Sequence, residues 1–283
     1  MCLKYMERYY NIAGIDVCIA GNAEELYTNE RRLSNFRTEK AENAHRFEFH
    51  IVDQLQPPKG NSIYTDDRRR VYTEDEKEVC YMDPSLRIER GKHCTEVQVL
   101  SEQIADRITA KLILNSLGIE QLVAKADALV IHASYIIWNG KAILFTAPSG
   151  TGKSTQAELW KEYKNTKIVN GDRAIIRVKD GVIEACGLPY AGSSEYCENI
   201  TAPLGAIVYL GQGNTCTVNR LTGSKAFRSV LEGTSVITWK KEDMERVISV
   251  IQTVLTSVPV YHYICTPDET AVITLENELR KEW

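Results

Sequence analysis

A glycine-rich loop at residues 147–155 constrains the fold of this chain more than any other feature. The loop reads Ala-Pro-Ser-Gly-Thr-Gly-Lys-Ser-Thr, follows the apolar run 143–145 and precedes a stretch of helix-forming residues. Glycines allow backbone N–H groups to converge on an anion, and a helix that begins directly after them directs its positive end to the same point. The pattern therefore predicts a strand–loop–helix unit that cradles phosphate, a P-loop, in which Ala147 replaces the usual first glycine.

The residue types in this loop fit a nucleotide-phosphate site. Lys153 is expected to reach the β- and γ-phosphates, and the hydroxyl of Ser154 is expected to bind Mg²⁺. A chance glycine-rich turn is the alternative, but the offsets and the strand–helix context favour phosphate binding. The loop residues expected to bind the nucleotide are Ser149, Gly150, Thr151, Gly152, Lys153, Ser154 and Thr155.

The strand that enters this loop is expected to pair with the strand before it. Asn139-Gly140 separates two apolar runs, 128–138 and 141–146, and Asn-Gly between such runs is a strong hairpin signal. An antiparallel hairpin at this point rules out an all-parallel sheet. Its register places His132 opposite the first loop residue, beside the phosphate site; the alternative is a hydrogen-bonded core histidine.

An acidic residue follows the next apolar strand. The run 167–170 is followed by Gly171, Asp172 and Arg173. A P-loop enzyme needs a carboxylate at such a strand end to orient Mg²⁺, although an ordinary turn aspartate is the simpler alternative. Further along, the glycine-bearing segment 187–203 is either a substrate lid or a surface connection.

Composition narrows the class of protein. The chain has 283 residues, 43% hydrophobic and 25% charged, with a formal net charge of −4. These values are typical of a soluble globular protein and give no basic footprint for nucleic acid. The sequence has no apolar run that could cross a bilayer, no signal-peptide core in residues 1–11, and eight cysteines without a Cys-x-x-Cys pair. These features predict a cytoplasmic protein with reduced cysteines that binds neither nucleic acid nor membranes.

Two domains are expected. Residues 1–100 contain strand-like alternating runs, whereas residues 101–117 have the apolar spacing of a helix. We therefore expect a β-rich N-terminal domain at 1–100, which would select a substrate or bind a partner. The nucleotide-binding domain is expected at 101–283, with an α/β fold in which the apolar stripe at 244–255 belongs to the core.

Together these motifs resemble the catalytic domain of the HPr kinase/phosphorylase family, and more closely the poorly characterised HPr-kinase-related proteins of bacteria. The family shares its P-loop core with ATP-dependent phosphoenolpyruvate carboxykinase, so the resemblance implies that core with a mixed sheet. It covers residues 120–280, and residues 1–100 do not match the N-terminal domain of true HPr kinases. The resemblance rests on His132-Ala133-Ser134, the Asn-Gly hairpin, loop 148–154, Asp172, Gly187-Leu188-Pro189, Ala202-Pro203-Leu204 and Asn219-Arg220-Leu221.

The resemblance implies a kinase that transfers the γ-phosphoryl group of a nucleotide, taken as ATP, to a hydroxyl. Lys153 and Ser154 would then bind phosphate and Mg²⁺. His132 would lie beside the reacting phosphate or assist the base. Asp172 would be a Mg²⁺ ligand or the general base.

One acidic residue of the family pattern is missing. HPr kinases carry two adjacent aspartates at this strand end, whereas this chain has Gly171-Asp172-Arg173, and the placement of the gap decides which of the two is missing. A single aspartate cannot easily hold the metal and accept the substrate proton together. Either Glu195 or His132 takes the second role, or activity is weak. Arg173 could instead stabilise the transferred charge.

The sequence thus favours an ATP- and Mg²⁺-dependent kinase with a hydroxyl acceptor, either Ser or Thr in a peptide or small protein or a small metabolite. A catalytically weak nucleotide-sensing module is the alternative, because of the missing acid. A GTPase switch ranks lower, since the chain has no Asn-Lys-x-Asp motif. The resemblance also suggests a homo-oligomer.

Overall fold

The computed structural model describes residues 5–21, 31–75, 77–82, 85–103 and 117–283. These residues form two compact units that divide between Ile119 and Glu120, whereas the sequence predicts the division just before or within residues 101–117. The helix predicted over 101–117 lies outside the described residues except for its two ends. No helix among the described residues is both long and apolar enough to cross a membrane.

The described part of the first unit is one mixed sheet with a short helix, α1 (Arg31–Ser34). The order across this sheet is β3-β1-β2-β4-β9-β8-β7-β6-β5. Neighbours are antiparallel except for β2–β4 and β4–β9, which are parallel. The strands are β1 (Met6–Ile12), β2 (Ile15–Gly21), β3 (Arg37–Thr38), β4 (His45–Val52), β5 (Ser62–Thr65), β6 (Arg69–Glu74), β7 (Lys77–Met82), β8 (Leu86–Arg90) and β9 (Cys94–Leu100).

The second unit combines a mixed sheet with helices. Its strands are β10 (Ala128–Trp138), β11 (Lys141–Thr146), β12 (Lys167–Asn170), β13 (Arg173–Lys179), β14 (Val182–Cys186), β15 (Thr201–Gln212), β16 (Thr217–Leu221), β17 (Thr234–Ser235) and β18 (Val260–Cys265). The helices are α2 (Ile119–Ala124), which begins at the division, α3 (Lys153–Lys164), α4 (Gly223–Gly233), α5 (Lys241–Leu255) and α6 (Glu269–Leu279).

Two long strands, β10 and β15, organise the second sheet because each changes partner along its length. β10 is antiparallel to β11 through residues 133–138 and to β13 through residues 128–132. β15 first pairs antiparallel with β14 and then lies parallel to both β11 and β18. The pairings of β10, β13, β14, β15 and β11 close into a ring. The predicted α/β class with a mixed sheet and the hairpin at Asn139-Gly140 are confirmed.

The register predicted from the hairpin is correct for every pair as far as Ala133–Thr146, but not for His132. The β10–β11 ladder has the predicted alignment as far as Ala133–Thr146 and ends there. His132 therefore does not pair with Ala147, because the β10–β11 ladder has ended; it pairs with Arg173 on the opposite edge of β10, where β13 follows β12. The Thr146 hydroxyl still donates a 2.9 Å hydrogen bond to the His132 carbonyl oxygen, which keeps the two strands together.

Apolar side chains cover both faces of the second sheet. Successive residues of a strand point to opposite faces, so Ala142 and Leu144 of β11 belong to one apolar cluster and Ile143 and Phe145 to another. The first cluster includes buried residues of α4 and α5, and the second includes those of α3 and α6. The unit therefore has helices on both faces of its sheet. The apolar stripe predicted within 244–255 lies in the core, as expected.

A buried carboxylate joins α3 to α6. Glu276 is 8% exposed. One of its oxygens lies 2.5 Å from Lys164 Nζ, and the other lies 2.7 Å from Arg280 Nη2. Burial alone would raise the pKa of Glu276, but the hydrogen bonds from the two cations outweigh it and lower the pKa from its usual 4.5. The stability that this group contributes is therefore complete above pH 4.5 and is lost as the pH falls through the lowered value.

We expect Glu276→Gln to lower the free energy of unfolding by about 1–3 kcal/mol at neutral pH, because it leaves two cations without their buried anion. The difference from the wild type should shrink as the pH is lowered well below 4.5 and the carboxylate becomes protonated. Urea denaturation at neutral pH and in this acid range measures this.

Glu278→Gln is the matched control for this prediction. Its ion pair with Lys281 is more open to solvent, with side-chain exposures of 31% and 67%. The control substitution should therefore lower the free energy of unfolding by less than about 0.5 kcal/mol. Equal losses for the two variants would contradict the role assigned to Glu276.

Candidate functional site

The glycine-rich loop connects a strand to a helix, as the sequence predicts. β11 ends at Thr146 and α3 begins at Lys153. Gly150 and Gly152 have φ angles of +81° and +104°, in a region that side chains disfavour. Ala147 is not in this region, which explains how alanine fits at the first loop position.

The start of α3 presents hydrogen-bond donors. No side chain caps the helix at Gly152, so the N–H groups of its first turn point toward the loop without a capping partner. Ser154 and Thr155 are exposed in this turn, and the Ser154 hydroxyl donates a 3.4 Å hydrogen bond to the carbonyl oxygen of Gly171. An anion at this position would meet backbone donors, a hydroxyl and the positive end of the helix dipole.

The side chain of Lys153 folds back onto the loop. Its ammonium donates hydrogen bonds of 3.0 Å to the carbonyl oxygen of Ala147 and 3.3 Å to that of Pro148. The residue is 7% exposed. Burial lowers the pKa of Lys153, and the charge of Asp172 opposes this shift. The buried cation therefore lies within the loop and is under the electrostatic influence of the acid.

Asp172 follows β12 and contacts two of the predicted site residues. Its Oδ1 lies 3.1 Å from His132 Nε2, and its Oδ2 lies 3.4 Å from Arg173 Nε. Burial alone would raise the pKa of Asp172. The hydrogen bond from His132 and the charges of His132, Arg173 and Lys153 together lower the pKa instead. The carboxylate is thus an anion at neutral pH and a poor proton acceptor.

Arg173 is held by several neighbours. Its Nη1 donates a 3.0 Å hydrogen bond to Ser235 Oγ and lies 3.6 Å from Glu120 Oε1. The guanidinium carbon lies 5.0 Å from the centre of the Tyr190 ring. These contacts hold the guanidinium beside Asp172, and its Nε faces Oδ2 of that carboxylate.

Residues from α3, from the Asp172 turn and from the segment 187–200 line one cavity of about 330 Å³. Of the predicted loop residues, Ser154 belongs to its lining, whereas Ser149, Gly150, Thr151, Gly152, Lys153 and Thr155 do not. Glu195 belongs to the lining. The structure therefore brings Ser154, Asp172 and Glu195 together, with His132 and Arg173 in contact with the acid. The polar side chains in the lining are Ser154, Glu158, Asp172, Ser193, Ser194, Glu195 and Tyr196.

The segment 187–200 is anchored to the strand that precedes Asp172. The N–H of Glu198 donates to the carbonyl oxygen of Val169, and the N–H of Gly187 donates to that of Ile200, both at 2.9 Å. A Cβ atom on Gly187 would lie 1.9 Å from the Glu198 carbonyl oxygen, so this close approach requires glycine. The segment is a wall of the cavity; the first bond ties it to β12, and the second joins its two ends to each other.

Sequence reasoning missed Asn170, which the structure places at the centre of these contacts. Asn170 is fully buried, and its side chain is hydrogen-bonded to Leu188, Tyr190, Asp172 and Arg173. In the sequence, Asn170 and the following Gly171 look like an ordinary turn. The available signal was an amide placed directly after the apolar residues of a predicted strand.

The site has few groups that could bind a metal ion. Among the described ranges, no group of three or more His, Cys, Asp or Glu side chains could hold one. Ser154 and Asp172 are the candidates that line the cavity. Mg²⁺ commonly combines one or two protein oxygens with water and substrate phosphates, so this small donor set fits such an ion.

Among solved structures, the chain is similar to the Hpr(Ser) kinase/phosphatase from Coxiella burnetii. The sequences are 10% identical, the match covers 54% of this chain and 97% of that chain, and the TM-score is 0.35. These values describe a weak, general likeness that carries no argument about activity. No curated protein matches the chain.

Residues 98–261 match the family described as "SynChlorMet cassette protein ScmC". This family is distinct from the HPr-kinase-related group named in the sequence analysis. The matched range is more than half of the chain and contains the glycine-rich loop, the Asp172 turn and the segment 187–200. The chain therefore belongs to the ScmC family of SynChlorMet cassette proteins.

Proposed function

We propose that the chain is an ATP- and Mg²⁺-dependent kinase that transfers the γ-phosphoryl group to a hydroxyl acceptor. The observation that carries the proposal is the shared cavity of Ser154, at the start of α3, and Asp172, at the end of β12. A hydroxyl acceptor in that cavity would lie between the phosphate end of a nucleotide and the acid. The acceptor is a small metabolite or a Ser or Thr in a peptide or small protein.

The residues of the loop fit the nucleotide. The uncapped start of α3 and Lys153 would hold the phosphates, and Ser154 and Asp172 would hold Mg²⁺. When bound, the metal supplies charge neutralisation for the phosphate oxygens. For its ammonium to bind phosphate, Lys153 would give up its hydrogen bonds to the carbonyl oxygens of Ala147 and Pro148.

The lowered pKa of Asp172 supports a role as an anion rather than as a strong base. We assign His132 to orienting this carboxylate, because its ring nitrogen lies within hydrogen-bond distance of it. Glu195 lines the cavity and is the candidate to accept the acceptor's proton. Arg173 would stabilise the charge that is transferred. Phosphoryl transfer depends mostly on positioning and electrostatics, so a weak base suffices.

A nucleotide-sensing module with weak catalysis is the second candidate. The observation that favours it concerns Gly171, one of the two positions beside Asp172 where a second acid could stand. A Cβ atom there would lie 2.1 Å from Ser194 Oγ, so the folded segment leaves no space for a side chain. The chain is therefore built for one acid at this strand end.

Transfer of label from γ-labelled ATP tests the proposal. The purified protein is incubated with Mg²⁺ and a bacterial extract that has been separated into small molecules and macromolecules. Label that appears in either fraction with the wild type, but not with Lys153→Met, supports the kinase and identifies the acceptor class. ATP binding without transfer in both fractions supports the sensor instead.

Lys153→Met should weaken ATP binding about tenfold to a hundredfold, because it removes charged hydrogen bonds worth about 1.5–3 kcal/mol. Titration with a fluorescent ATP analogue measures the change. Lys241→Met is the control, since its side chain is 88% exposed on α5. An affinity within about twofold of the wild type would refute phosphate binding by Lys153.

Asp172→Asn should separate the two candidate functions. In a kinase we expect turnover to fall at least about a hundredfold, because a group that acts on the transferred phosphate is lost. In a sensor the loss is confined to Mg²⁺-dependent ATP affinity. Asp180→Asn is the matched control, since Asp180 is an exposed turn residue with φ of +51° that asparagine tolerates. Wild-type turnover in the Asp172 variant would exclude it from the reaction.

A further inference from the structure

We propose that Asn170 is a positioning residue that couples the cavity-wall segment, residues 187–197, to the carboxylate of Asp172. The inference rests on the function proposed for the cavity and adds a form of regulation. A ligand that moves the cavity-wall segment also moves the acid that faces the same ligand.

The amide of Asn170 connects two parts of the site. Its Nδ2 donates to the carbonyl oxygens of Leu188 at 2.9 Å and Tyr190 at 3.0 Å. Its Oδ1 accepts from the N–H groups of Asp172 and Arg173, each at 2.9 Å. Asparagine carries both a donor and an acceptor on one short side chain, so it can hold both parts at once. Each of these bonds is costly to lose, because the residue is fully buried.

The cavity-wall segment also packs directly on the turn. A Cβ atom on Gly171 would lie 2.1 Å from Ser194 Oγ, and one on Gly192 would lie 2.9 Å from Asp172 Cγ. The absence of side chains at both glycines lets the segment approach the backbone and the carboxylate closely. A displacement of the segment therefore changes the surroundings of the acid.

Besides its contact with Arg173, Asp172 is bonded to β10. Its carbonyl oxygen accepts a 2.9 Å hydrogen bond from the Ala133 N–H, and its carboxylate is hydrogen-bonded to His132. The turn is therefore held by β10 on one side and by Asn170 on the other. Loss of the Asn170 amide would leave Asp172 fixed on one side, and its alignment with His132 would change.

Asn170→Leu is the first test, because leucine has a similar size and no hydrogen-bonding groups. We expect alkylation of Cys197, which is 5% exposed on the cavity-wall segment, to become at least about tenfold faster. We also expect the ring resonances of His132 to move toward their position in Asp172→Asn. Peptide mapping measures the alkylation of Cys197, and NMR at constant pH measures the His132 resonances. The spectrum of His132→Gln shows which signals of the five histidines belong to His132.

Gly187→Ala is the second test, because it displaces the cavity-wall segment and leaves the Asn170 amide in place. Its Cβ atom would lie 1.9 Å from the Glu198 carbonyl oxygen. Coupling predicts that the His132 resonances move in this variant as well. Adding the substitution to Asn170→Leu should move them less than it does in the wild-type background, since the connection through the amide is already lost. If Asn170→Leu does not fold, unchanged His132 resonances in Gly187→Ala overturn the coupling.

Asn199→Leu is the matched control, an exposed asparagine just beyond the cavity-wall segment that should affect neither readout. Cys186, 1% exposed in β14, reports unfolding of the whole unit. Faster alkylation of Cys197 with unchanged His132 resonances would overturn the proposal, as would unchanged alkylation of Cys197. If the alkylation rate of Cys186 rises as much as that of Cys197 in both variants, Asn170 has a purely structural role. That result would also overturn the proposal.

Turnover adds a readout that depends on the proposed function. In a kinase, Asn170→Leu should reduce kcat about tenfold with the KM for ATP within about twofold, because the acid is misplaced while the loop is intact. A complete lack of transfer by the wild type would count against the kinase, whereas alkylation and NMR would still decide the coupling.

Discussion

The part of β10 at His132 and Ala133, which is bonded to a different neighbour on each edge, determines where the site forms. The Ala133 N–H bonds the carbonyl oxygen of Asp172, and the adjacent His132 carbonyl oxygen accepts from the Thr146 hydroxyl. The strand that leads to the glycine-rich loop and the turn that carries the acid are therefore attached to neighbouring residues of one strand. Backbone groups take part in both bonds, so the sheet rather than flexible side chains sets the separation of loop and acid.

The charges at the site are balanced by one another. Lys153 is buried, which disfavours its charge, and Asp172 is partly buried between cations that favour its own charge. Removing one member would leave the others in a poorly solvated place without compensation. The arrangement also explains how Lys153 can be held by carbonyl oxygens alone: the acid supplies the counter-charge at longer range.

Local features of the site followed from the sequence, whereas its assembly did not. The Asn139-Gly140 hairpin and the strand–loop–helix unit depend on neighbouring residues, and both could be predicted. The partner of His132 depends on β13, which lies far along the chain, so a register counted from the hairpin failed there. The role of Asn170 was hidden for the same reason, because its donors are used only when Leu188 and Tyr190 fold against it.

The strand that carries the glycine-rich loop has neighbours on both edges. Leu144, for example, pairs with Tyr135 of β10 on one side and with Ile207 of β15 on the other. The second neighbour follows much later in the chain, which gives this sheet many contacts of high sequence separation and favours slow folding. The support of the loop is therefore complete only with β15 in place, and the finished strand offers no open edge to which another chain could add.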